Sequence, residues 1–155
     1  MTPPTIPGLL AAAGVAHVAY DGWPGSGVWL TAAGQLVASF DVLKAAQAGD
    51  PRYRGWHAHH VVEVQDLRRL GVERLFPAPG AQLCVLLPAA AHVGRVNSVL
   101  RAGNPAGAAP RPRAFLAAYR DAYALVGDYC GGGEAKVCGE LVSLATAVYR
   151  AAGLV

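Results

Sequence analysis

Trp56-His57-Ala58-His59-His60-Val61-Val62-Glu63 interleaves rings and branched residues with one small residue, the composition of an extended strand. Side chains on a strand alternate between faces, so His57 and His59 share one face and His60 takes the other. Downstream, residues 64–70 read as a helical turn that stops at Gly71, Pro77-Ala78-Pro79-Gly80 reads as a turn, and residues 82–87 form a short apolar strand. Pro88 then stands where prolines favour the first position of a helix, predicting a helix over 88–100 that carries His92. The order is strand, turn, strand, helix.

Working outward, residues 15–20 and 28–40 carry β-branched and aromatic residues, with Ala32-Ala33-Gly34 between two apolar runs, which predicts a β-hairpin. Asp41 is a natural N-cap for a short helix over 42–48 that ends at Gly49. Residues 113–126 predict a helix with Leu116, Tyr119 and Tyr123 on one face, and Val137, Leu141, Leu144 and Val148 recur at helical spacing in a last one. The triple glycine 131–133 reads as a flexible turn between them, because no G-K-[ST] ending follows to make it a phosphate loop. Residues 1–8 are a Pro-rich, linker-like lead, which leaves 9–155 as a single domain of α+β class.

Composition narrows the function. Hydrophobic residues make up 54% and charged residues 15% of the 155, which excludes intrinsic disorder. The net charge of +3 leans toward anionic partners without reaching a polybasic binder. No apolar run reaches the roughly 18 residues of a spanning helix, and the opening residues lack a signal-peptide pattern, so no membrane segment is expected. Cys84, Cys130 and Cys138 cannot all pair, and none forms a C-x-x-C unit. A bond between Cys130 and Cys138 is left open.

Four of the five histidines fall within residues 57–92, where even scatter puts only about one. Imidazole is the commonest metal ligand and the side chain that titrates nearest neutrality, so the cluster points to metal binding, proton transfer or both. A metal between His59 and His92 would join the strand pair to the helix, while His60 on the other face is free for a different role. Arg95, three residues after His92 on the same helical face, is a candidate for bidentate phosphate contact. His57 is a second substrate-contact candidate. A zinc deaminase is disfavoured, because His57-Ala58-His59 lacks the glutamate of H-x-E and no P-C-x-x-C follows.

Ala58-His59-His60-Val61-Val62-Glu63, together with Cys84-Val85-Leu86-Leu87-Pro88 and His92, resembles the AHH group of the HNH/endonuclease VII superfamily. The resemblance covers about residues 56–101. It implies a ββα-metal core of two short strands and a helix, with the N-terminal hairpin and the C-terminal helices packed on it. It further implies a nuclease toxin domain at the C-terminus of a larger secreted bacterial protein, acting in the cytoplasm of the target cell and matched by an immunity protein. Carried over, His59 is a catalytic metal ligand, His60 the general base, His92 a second ligand and Asn97 a third. The cofactor is one divalent ion, Mg²⁺ by preference, with Zn²⁺ or another transition ion as alternatives, and the substrate is DNA, with RNA as a second option. Gln82 and Leu83 stand where the standard pattern has its central asparagine. Two other readings stay open: a metal-independent ribonuclease using His60 and His92 as acid and base, and a non-catalytic domain stabilised by zinc.

Overall fold

The computed structural model describes residues 2–89, 96–103, 109, 111–124 and 134–155, with backbone only over 134–138. Its described residues form an α+β fold, a five-stranded antiparallel sheet with six helices. The strands are β1 (His17–Ala19), β2 (Trp29–Thr31), β3 (Leu36–Ser39), β4 (Trp56–His60) and β5 (Leu83–Pro88). Their order is β1-β2-β3-β5-β4. The helices are α1 (Ile6–Ala12), α2 (Phe40–Ala48), α3 (Val64–Arg69), α4 (Asn97–Gly103), α5 (Pro112–Tyr123) and α6 (Glu134–Ala151).

The expected hairpin is β2–β3, turned at Gly34 with φ of 87°, a conformation that glycine adopts without penalty. It does not pack on the β4–β5 pair as a separate layer. β3 pairs directly with β5, and all five strands share one sheet. β5 is an interior strand, paired on both sides by β3 and β4 and buried on both faces, which is why Leu-Cys-Val-Leu-Leu reads as an unbroken apolar run. Val85 and Leu87 face one core with Val37 and His59, while Cys84 and Leu86 face the other with Ala58 and Leu36. The first face is covered by α1, α4, α5 and α6. The second is covered by α2 and by Tyr20, Trp23, Tyr53 and Trp56, whose rings meet edge to face in sequence.

Three boundaries differ from the sequence reading. The cap of α2 is Ser39, whose hydroxyl accepts from the Val42 N–H, so Asp41 sits in the first turn, where a carboxylate favours the helix dipole. Pro88 is the last residue of β5, opposite Trp56, and the helical conformation expected from it begins at Ala89, directly after it. Pro88 lies beyond the residues that β3 pairs, where a missing N–H costs no ladder bond. α1 begins at Ile6, inside the stretch read as a lead, because Thr5 caps it and Leu9 and Leu10 are buried.

α5 fixes the site that follows. Its inward face is Phe115, Leu116, Ala118, Tyr119, Ala122 and Tyr123, all buried, and each large side chain there contributes about 1.5–3 kcal/mol. α4 lies tight against it: a Cβ on Gly103 would stand 2.5 Å from the Ala118 Cβ, so only glycine permits that approach. No described helix is long and apolar enough to cross a membrane.

Candidate active site

His59 is 2% exposed. It sits on the helix-covered face of β4, opposite Val85 on β5, and its Nε2 lies 3.1 Å from the Tyr123 hydroxyl on α5. That hydroxyl donates its one proton to the Val61 carbonyl at 2.5 Å. A carbonyl oxygen only accepts, so the tyrosine oxygen accepts in turn from the His59 Nε2–H. The Tyr123 ring meets the imidazole edge-on, with centroids 5.9 Å apart.

Tyr119, one turn earlier on the same face of α5, does the same for α3. It accepts from the Glu63 N–H at 2.8 Å and donates to the Asp66 carboxylate at 2.6 Å. Asp66 is itself buried and lies 3.9 Å from the Arg69 guanidinium, which stacks over Phe115. The two phenols thus tie the end of β4 and the start of α3 to α5. Burial pushes the hydroxyl pKa of both Tyr119 and Tyr123 well up, with nearby carboxylates adding to the effect, so both stay protonated donors at any physiological pH.

Glu63 borders this cluster. Its carboxylate accepts from the Gln65 side chain at 2.8 Å. Burial pushes its carboxyl above the ordinary range and the Asp66 charge adds to that, against the Gln65 hydrogen bond and the Arg101 charge on α4. Asn97 is four residues before Arg101 on α4 and so shares its face. Its Oδ1 is buried and has no hydrogen-bond partner among the described residues, an uncompensated acceptor of a kind that folded proteins rarely keep.

His60 lies on the opposite face of the sheet from His59. Its ring stacks on Phe40 at 5.3 Å and 8°, and its Nε2–H donates to the Pro79 carbonyl at 2.8 Å. The two neighbouring imidazoles each donate through Nε2, but one is sealed and the other is partly open to solvent. His57 is half-buried on the His59 face, opposite Leu87. His92 and Arg95 lie outside the described residues, as do the triple glycine and the side chains of Cys130 and Cys138. Cys84 is a buried free thiol.

Comparison with protein-family models, with curated proteins and with solved structures gives no match.

Among the described residues, no three histidine, cysteine, aspartate or glutamate side chains converge as a metal nest. The nearest chemistry to a ligand among the described residues is the imidazole of His59 and the buried carboxamide oxygen of Asn97, which has no hydrogen-bond partner among the described residues. An imidazole nitrogen and a carboxamide oxygen are donor types that suit a borderline or hard divalent ion. The sequence reading took Tyr119 and Tyr123 only as the apolar face of a helix. The available signal was that each hydroxyl on a buried face needs a polar partner.

Proposed function

We propose that the chain is a metal-dependent nuclease of the AHH type that hydrolyses phosphodiester bonds in DNA, with β4, β5 and α4 as its ββα unit. The observation that carries this reading is the pair of neighbouring imidazoles, each oriented by a hydrogen bond through Nε2 and turned to opposite faces at the end of β4. In-line displacement at phosphorus needs a base on the side of the attacking water and charge stabilisation on the side of the leaving oxygen. His60, partly open to solvent at the end of β4, is suited to the base's part of that work.

His60 is the general base in this scheme. The Pro79 carbonyl holds its Nε2–H, so Nδ1 takes the proton as the water oxygen bonds to phosphorus and the bond to the departing sugar oxygen breaks. The proton then passes to solvent, which the partial exposure of the ring allows. His59 and Asn97 would hold the divalent ion, with His92 as the further ligand that the resemblance implies. Such an ion supplies Lewis-acid stabilisation of the phosphoryl charge. Tyr123 fixes the His59 tautomer, and Tyr119 holds the backbone of Glu63 and the carboxylate of Asp66. By the same resemblance, the chain acts as a toxin domain of a larger secreted protein and is neutralised by an immunity protein.

The test is cleavage of supercoiled plasmid. The wild type is expected to nick DNA with Mg²⁺ and not with EDTA, and His60→Ala to lose about 10²–10⁴-fold in rate with its fold intact. Full cutting by His60→Ala, or cutting in EDTA, would overturn the scheme.

A further inference from the structure

The inward face of α5 packs on His59, and its outward face carries a different feature. Arg113 and Arg120 are two helical turns apart on α5, about 10 Å along its axis, and they line an open groove with Arg150 of α6. Leu116, Thr146 and Val155 complete its lining. All three arginines are exposed. None of them makes an ion pair or hydrogen bond among the described residues, whereas Arg52, Arg68 and Arg69 each have a carboxylate partner. Glu140 of α6 does not neutralise the groove, because its carboxylate accepts from the Thr31 hydroxyl at 2.5 Å and the Ala33 N–H at 3.0 Å. Asp121 neighbours Arg120 but pairs with none of the three.

Three guanidiniums without a carboxylate partner among the described residues, held by two packed helices, form a concave cationic surface of fixed spacing, and the guanidinium fork matches phosphate oxygens. We infer that this groove binds the phosphate backbone of a DNA duplex. The identity of the ligand rests on the nuclease reading above, whereas the groove itself is separate from the imidazole cluster. Its role is to hold the duplex by charge, without reading sequence.

Fluorescence anisotropy with a labelled phosphorothioate duplex, which keeps its charge and resists hydrolysis, tests this in Mg²⁺ across a salt series. Each phosphate contact adds about 0.9 to the slope of log affinity against log salt. The combined Arg113→Gln, Arg120→Gln, Arg150→Gln variant is expected to lower the slope by about 2–3, and each single variant by about 0.9. Wild-type affinity should then fall roughly 40-fold more than that of the triple variant between 50 and 200 mM salt. Lys44→Gln with Arg54→Gln and Arg74→Gln removes the same charge at other exposed positions, and should leave the slope unchanged. A groove variant with the wild-type slope, a control that falls equally, tighter binding to single-stranded RNA, or no duplex binding by the wild type would each overturn the groove. Plasmid cleavage with an unchanged slope removes the groove and spares the nuclease. Groove binding without cleavage supports the groove and removes the nuclease.

Discussion

Replacing Tyr123 by phenylalanine removes one oxygen and leaves the ring against His59 and Tyr119, so the apolar packing of α5 is retained and the cost is polar. Two buried groups lose their partner at once, the His59 Nε2–H and the Val61 carbonyl. Each unsatisfied group costs about 1–3 kcal/mol, and a total of about 3 kcal/mol lowers the melting midpoint of a chain this long by about 6–12 °C. Tyr149→Phe is the matched control. Its ring is equally buried on the neighbouring helix and its hydroxyl has no partner among the described residues, so removing that oxygen should leave the midpoint unchanged or raise it. Differential scanning calorimetry of the three proteins reads both. If Tyr123→Phe melts within about 2 °C of wild type, or if both variants fall equally, the hydrogen-bond relay from Val61 through Tyr123 to His59 is wrong.

Two further outcomes follow from the same cluster. Asn97→Ala removes a buried acceptor with no partner among the described residues, so it should raise the metal-free melting midpoint by a few degrees, roughly, while abolishing the stabilisation that the wild type gains from added Mn²⁺; a variant that keeps the full metal response would remove Asn97 from the ligand set. Glu63→Gln should give a pH-dependent shift. Burial holds the Glu63 carboxyl above its ordinary range, so the fold favours the neutral form. That advantage is complete below about pH 4, where the unfolded carboxyl is also protonated, and is lost as pH rises through the folded value. The variant should melt close to wild type at pH 4 and above it at pH 7, and an equal or reversed difference at the two values would contradict the assignment.

Local rules carried much of the fold. The β2–β3 hairpin, the stop at Gly49, the apolar run of β5 and the buried face of α5 follow from turn chemistry and periodicity, which act over a few residues. Pro88 reads in sequence as the first residue of a helix and instead closes a strand one residue before the helical conformation begins, because both places satisfy the same constraint, an N–H that no partner needs. The joining of the hairpin to β5 is a pairing across more than forty residues, which no local pattern encodes. The opposite facing of His59 and His60 was legible from strand alternation. Tyr123 as the partner of His59 was not, because it arrives from 64 residues away, and a tyrosine on an apolar face looks the same in sequence whether or not its hydroxyl is used. The burial of the Asn97 oxygen, without a partner among the described residues, is likewise visible only once its surroundings are packed.

The account turns on which nitrogen of His59 carries the proton. Nitrogen-15 NMR of the imidazole, with and without Zn²⁺ as a diamagnetic probe, reads this directly. The expected spectrum has a protonated Nε2 and an unprotonated Nδ1 in the metal-free chain, with Zn²⁺ shifting Nδ1 alone. A proton on Nδ1, or a Zn²⁺ shift at Nε2, would contradict the Tyr123 relay and with it the ligand role of His59.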